Sequence, residues 1–365
     1  MFHRRSPALI AGFQAFSALA LASTAVPAGA AAGYQVYVTN EKSGDVTVID
    51  GASNSVVGTI AVGKRPRGIH VSPDGKSVYV AVSGTPVAGP PELDAQGNPI
   101  LKKNNKTDDD DDDAGEDKAA DGIAVVDAVT HKFSRKIAAG SDPEEFALSK
   151  DGARIYISNE DTKSATVINI ASEKIEHIIP VAQEPEGVTT TPDGKSFYVT
   201  CEAGGDVFVI DSTKYDTVGH FKVQGRPRSV DFMADGRIGF VPSESVGQVN
   251  VIDAVAHTVK QTLTLPAGSR PMRVRVSPDD KKVYISNGRA GTISVIDSHS
   301  YSLLDTIKVG PRPWGIVISP DGRFLYSANG PSNDISVVDL TIGKEVTRVK
   351  AGASPWGLVI VPKSL

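Results

Sequence analysis

Short runs of Val, Ile and Tyr, each bounded by turn residues, recur along the whole chain, which is the pattern of β-strands. In one stretch four such runs follow one another, at 314–319, 324–328, 335–339 and 345–349. Between the first two stands "SPDGR", whose Pro and Asp-Gly suit a tight reverse turn. The third run is apolar on both faces ("VTVID", "ISVID", "ISVVD"), which predicts a strand sandwiched between neighbouring sheets. The fourth alternates polar residues ("KEVTRVK", "YDTVGHFK"), as an outer edge strand does when exposed charge discourages edge-to-edge pairing.

This four-run unit is repeated. A marker proline recurs at Pro66, Pro143, Pro185, Pro227, Pro271, Pro313 and Pro355, in steps of 77, 42, 42, 44, 42 and 42 residues. The polar residue ending the third run recurs in parallel at Asp50, Asp127, Asn169, Asp211, Asp253, Asp297 and Asp339. The one long step is an ordinary unit expanded by 35 residues. Four-stranded units of this length repeated radially predict an all-β propeller. Residues 34–63 supply three strands and lack the first, and residues 354–361 supply only a first strand. Joined, the two ends complete one blade, so the expected fold is a seven-bladed β-propeller of four-stranded antiparallel blades closed by its N- and C-terminal strands.

Composition changes this picture at two places. Arg4 and Arg5, an Ala/Leu-rich run and an Ala28-x-Ala30 site make the three-part pattern of a cleaved signal peptide over residues 1–30. A periplasmic or secreted propeller over 31–365 is therefore expected, with no transmembrane segment. Residues 85–121 hold eleven acidic residues, Asp108 to Asp113 among them, against four lysines. That stretch is expected to be a disordered loop inserted in the second blade, beside the channel mouth. It fails as a calcium loop, because Ala114 occupies a ligand position and Asp121 stands where a bidentate Glu is needed.

The first strand of each blade should line the central channel, and repeat-breaking residues there are candidates for function. In ring order the residue after each marker proline is Trp356, Arg67, Glu144, Glu186, Arg228, Met272 and Trp314. Deeper positions add Glu145, Arg273, His70, Asp231 and Arg275. The candidate site is thus Arg67, His70, Glu144, Glu145, Glu186, Arg228, Asp231, Arg273, Arg275, Trp314 and Trp356: two aromatic platforms in a mixed-charge cup, suited to a flat or sugar-like anion or a protein loop.

No GxSxG, HExxH, Walker A, GxGxxG or CxxCH motif occurs, so no cofactor, metal or catalytic residue is assigned. The lone Cys201 reads as a turn residue, and the acidic balance without a basic stripe disfavours nucleic acid.

"YVTNEKSGDVTVID" and the series "RPRG", "DPEEFALSKDG", "EPEG", "RPRSVDFMADG", "RPWG", "SPWG" resemble the YVTN-type β-propellers. The resemblance is to the exported seven-bladed propellers associated with PQQ-dependent catabolism. It implies a setting: a non-enzymatic, monomeric propeller whose mouth binds a small molecule or a periplasmic protein, such as a PQQ-dependent dehydrogenase or transport component. Two alternatives stand beside it, a purely structural surface protein and a periplasmic lactonase-type hydrolase. The hydrolase would need His70, Asp231 and a carboxylate such as Glu145 to converge.

Overall fold

The computed structural model describes residue 1, residues 33–86 and residues 117–363. Their strands form seven four-stranded antiparallel sheets. Six sheets take four consecutive strands each, and the seventh joins the chain ends. There β28 (Pro355–Pro362) pairs with β1 (Tyr34–Asn40), in the register Val36↔Ile360 and Val38↔Leu358. β2 (Asp45–Asp50) and β3 (Ser55–Ala61) continue that sheet outward. The seven-bladed propeller and its mode of closure are as the repeat predicts.

The core is divided into seven apolar layers, each between two successive blades. Tyr37, Val46 and Val48 of blade one meet Val78, Val80 and Ala124 of blade two. Val36, Val38 and Leu358 meet Tyr326, Ile335 and Val337 of blade seven, so the last interface is as fully packed as the first. This is why the third strands are apolar on both faces: each contributes to two layers at once.

The recurrent polar residues have structural tasks. Asn40, Asn159, Asn287 and Asn329, buried at the ends of second strands, each donate from Nδ2 to a hydroxyl seven residues on, at 2.8–2.9 Å. Cys201 takes the same position and the residue seven on is Phe208, so two apolar side chains of one packed layer replace the amide–hydroxyl pair. Burial pushes its thiol up to about 12, and the residue lies at the strand end within the packed layer rather than in the turn expected for it. The aspartates ending third strands accept backbone N–H groups two and three residues on, as Asp50 does from Ala52 and Ser53, and so form the turn to the outer strand.

The inner strands carry the site. In blades three, four, six and seven, β8 (Pro143–Leu148), β12 (Pro185–Thr190), β20 (Pro271–Val276) and β24 (Pro313–Ile318) all slip register after the marker proline. Each has a bulge that re-aims the two residues after the proline. In blades two and five the inner strand is shorter, β4 (Ile69–Val71) and β16 (Asp231–Phe232). In blade five the Arg228 N–H donates to Pro242, which has no N–H to return.

The inserted segment leaves blade two at Gly84 and re-enters at Asp117. Its base is fastened, with Asp117 N–H donating to Gly84 O at 3.3 Å and Asp121 accepting from the N–H groups of Gly84 and Asp142. The signal-peptide segment 2–30 and the aspartate run 108–113 lie outside the described residues.

Two outcomes follow for thermal unfolding followed by circular dichroism. Replacing residues 87–116 with a short Gly/Ser linker leaves Tm unchanged, because the base contacts stay. Ending the chain at Ala353 removes β28, opens two apolar layers and abolishes the single cooperative transition rather than trimming one repeat.

Candidate functional site

The mouth is built from three repeat positions per blade: the residues on either side of the marker proline and the residue after the second-strand Asn. Arg65 Nη1 binds Asp142 Oδ1 at 2.7 Å and Nη2 binds Glu144 Oε1 at 3.0 Å. Arg67 binds the other Glu144 oxygen and reaches Glu41 Oε1 at 2.7 Å. Around blades four and five, Arg228 contacts Glu186 at 3.3 Å, Glu244 at 2.9 Å and Glu202. Arg226 is bound to Glu202 as well.

On the remaining arc the wall is aromatic. Trp314 and Trp356 stack with ring centroids 6.2 Å apart and planes 26° apart. Arg67 lies 5.8 Å over Trp356 and Arg228 5.7 Å over Trp314, while Arg312 lies over Trp314 at 5.0 Å. Gly330 gives the indole room: a Cβ on it would stand 3.1 Å from Trp314 Nε1, so the ring would have to shift by a few tenths of an ångström.

Below the mouth, one array crosses the channel. Glu145 of blade three accepts from His70 Nε2 of blade two at 3.1 Å, and its other oxygen is ion-paired to Arg273 of blade six. Gly68 makes room for this carboxylate, since a Cβ there would lie 2.6 Å from Glu145 Oε1. The same oxygen accepts the Phe146 N–H, and the His70 ring packs edge-on against Phe146 at 4.7 Å. Asp231 does not join this array. Its two oxygens accept the N–H groups of Val276 and Phe232, so the three-way convergence with His70 reduces to His70 and Glu145. Arg275 bonds the carbonyl of Val274 at 3.3 Å and leaves most of its donors without a partner among the described residues.

The charge balance makes these groups unequal. Burial would raise Glu145, but Arg273 and His70 outweigh it and hold the carboxyl at about 2. Glu144 is likewise buried and is held below its ordinary value by Arg67 and Arg65. Glu160 has no such partner among the described residues. Burial, with Glu144, Glu186 and Asp142 nearby, pushes it up to about 9. Burial and Glu144 bring Glu186 to about 7 against the pull of Arg228. Asp231 is raised by burial and Arg275 lowered by it. Oxygens of Asp142, Glu144 and Glu160 lie within 4.8 Å of one another. Guanidinium hydrogen bonds already occupy Asp142 Oδ1 and both Glu144 oxygens, so this cluster does not form an open cation cage.

All eleven candidates lie along the inner strands or their entry loops. Arg67, Glu144, Glu186, Arg228, Trp314 and Trp356 meet at the mouth, and His70, Glu145 and Arg273 meet below it. Sequence reasoning missed Arg65, Asp142, Glu41, Glu160, Glu202 and Glu244. The signal for four of these six was present. After the second-strand Asn position, Glu41, Glu160, Glu202 and Glu244 stand where other blades have Ser83, Gly288 and Gly330.

A model of the seven-bladed β-propeller lactonase family matches residues 180–350, and a choice-of-anchor I domain model matches residues 5–183. No curated protein matches the chain in sequence. Among solved structures, a periplasmic gluconolactonase of Pseudomonas aeruginosa superposes with TM-score 0.68 at 20% identity, over 90% of this chain and 99% of that one. A candidate 6-phosphogluconolactonase of Bacteroides fragilis gives 0.70 at 18%, over 92% and 99%. The hydrazine synthase of Kuenenia stuttgartiensis gives 0.68 at 19%, over 84% and 93%. At these identities the likeness is one of fold. The lactonase matches overturn the expectation of a non-enzymatic binding propeller serving PQQ-dependent alcohol oxidation and favour its lactonase-type alternative.

The raised carboxyls have a measurable consequence. Glu160 and Glu186 keep their protons in the folded state while the unfolded chain loses them near pH 4.5. Their contribution is therefore whole below that pH and is lost as pH rises towards about 9. Glu160→Gln should raise Tm by roughly 2 °C or more at pH 8.5 and leave it unchanged at pH 4.5.

Proposed function

We propose that the protein is a lactonase-type hydrolase that opens a sugar-derived lactone in its channel. The observation that carries this reading is the His70–Glu145–Arg273 array. With Nε2–H donated to Glu145, the Nδ1 lone pair of His70 is the acceptor for a proton from water. Water adds to the lactone carbonyl carbon as His70 takes that proton, and the carbonyl oxygen gains the negative charge. Arg275, with donors to spare, is the group suited to stabilise it. Collapse restores the C=O bond and breaks the ring C–O bond, and the proton on His70 passes to the departing alkoxide. The products are the hydroxy acid as its carboxylate and one released proton. The reaction needs no redox step.

The match of residues 180–350 to the lactonase model and the periplasmic gluconolactonase among the structural neighbours support the same reading. That neighbour, with the signal-peptide pattern of residues 1–30, also supports a periplasmic location. A lactone arises by two-electron oxidation of a cyclic hemiacetal, a reaction class open to a PQQ-dependent dehydrogenase. On this reading such an enzyme acts upstream, as a supplier of substrate.

The test is hydrolysis of glucono-δ-lactone and of its 6-phosphate, followed by acid release in weak buffer and corrected for spontaneous opening. His70→Ala should lower kcat/KM by about 100-fold or more, the scale of a lost general base. Glu145→Gln should lower kcat with little change in KM. Wild-type protein that accelerates neither lactone, or a His70→Ala variant as active as wild type, rejects the assignment.

A further inference from the structure

Six of the seven residues following the marker prolines, all but Met272, make a girdle round the mouth. Trp356 stacks on Trp314, Arg67 lies over Trp356 and binds Glu144, and Arg228 lies over Trp314 and binds Glu186. Each of these links joins unlike or neutral partners. Between these, Glu186 of blade four follows Glu144 of blade three in ring order, so like charges are neighbours there and Glu144 raises Glu186.

Glu160, from the turn after β9 (Arg154–Asn159), lies in that seam with Asp142, both within 4.8 Å of Glu144. Positive charge is short on both sides. Arg65 and Arg67, entering from blade two, are shared among Asp142, Glu144 and Glu41 of blade one. Arg228, from blade five, is shared among Glu186, Glu202 and Glu244. Arg226 is bound to Glu202 and lies 3.8 Å from Glu184, while Arg273 below is committed to Glu145. Glu160 has no cationic partner among the described residues. Asp142 and Glu144 are buried and Glu160 and Glu186 half-buried, and carboxylates this close oppose one another's ionisation, so the seam favours holding protons.

We propose that this seam is a proton-operated gate. While Glu160 and Glu186 hold their protons the girdle stays closed. Their loss draws the Arg67 and Arg228 side chains toward the newly charged seam and off the tryptophans, while the packed layer between blades three and four holds the backbone in place. The trigger is local, since Glu160 and Glu186 titrate at about 9 and about 7 whereas Glu144 stays ionised beside its two guanidiniums. The gate adds regulation to the site assigned above. Its readout needs no lactone, so it stands or falls separately from the hydrolase reading.

The chain's two tryptophans both lie in the girdle, so intrinsic fluorescence reports on it without a label. Acrylamide quenching of the protein, titrated from pH 5.5 to 9.5, should rise roughly twofold as the seam ionises and draws the arginines off the tryptophans. The Glu160→Gln/Glu186→Gln double variant keeps the neutral seam. It should hold the low quenching across the whole range, with melting curves showing that it is folded. Quenching that is flat in wild type, or a rise that persists in the folded double variant, overturns the gate. Should the double variant not fold, infrared spectra of wild type decide. A protonated-carboxyl C=O band present at pH 7 and lost by pH 10 supports the seam, and its absence at pH 7 overturns it.

Discussion

Everything at the mouth depends on the pairing of β28 with β1. It closes the seventh sheet with strands from opposite ends of the chain, and with it the two apolar layers that flank blade one. A closed ring has no free interface, so each blade is held from both sides and its inner strand cannot slide. The inner strands then approach closely: a Cβ on Gly187, Gly315 or Gly357 would stand 2.5–2.6 Å from a carbonyl oxygen of the next blade. Where this ring of glycine is broken, by Glu145 and Arg273, the side chains have nowhere to go but across the axis to each other.

That rigidity is what allows the mouth to keep an unfavourable charge pattern. Glu144 is fully buried between Arg65 and Arg67, and removing one partner from such a pair typically costs about 3–5 kcal/mol. A surface loop would relax by turning its carboxylates to water. Here the backbone positions are set by packing several residues away, and the surplus is relieved by retaining protons on Glu160 and Glu186. Below it, Glu145 shows the opposite outcome, a carboxylate kept ionised by Arg273 and His70. Two carboxylates on neighbouring residues of one strand thus serve different ends. Glu144 is part of the girdle, and Glu145 orients a histidine.

The blade count, the closing strand and the inner-strand origin of all eleven candidates were legible because the repeat is regular and each shared residue has a local task. The Asn and Asp markers bond within their own blade, seven and two to three residues on, so their meaning is carried by nearby sequence. The arginine–carboxylate pairs are different. Arg65 with Glu144 and Arg273 with Glu145 join residues 79 and 128 positions apart. No period distinguishes them from a cation and an anion that never meet. The same holds for Asp231, which sits where a third member of the His70 pair was expected and is instead taken up by the backbone of blades five and six.

The sequence by itself thus determined the architecture: seven blades, their order, their apolar faces and the ring position of every inner-strand residue. Only the tertiary structure decided the chemistry of the site. The bulge after the marker proline in blades three, four, six and seven turns two successive side chains away from simple alternation, and the width of the channel brings blade three within reach of blade six. Those are consequences of how closed sheets pack around an axis. Partner, charge state and role at the mouth depend on distances of a few ångströms, on which Coulomb and hydrogen-bond energies turn.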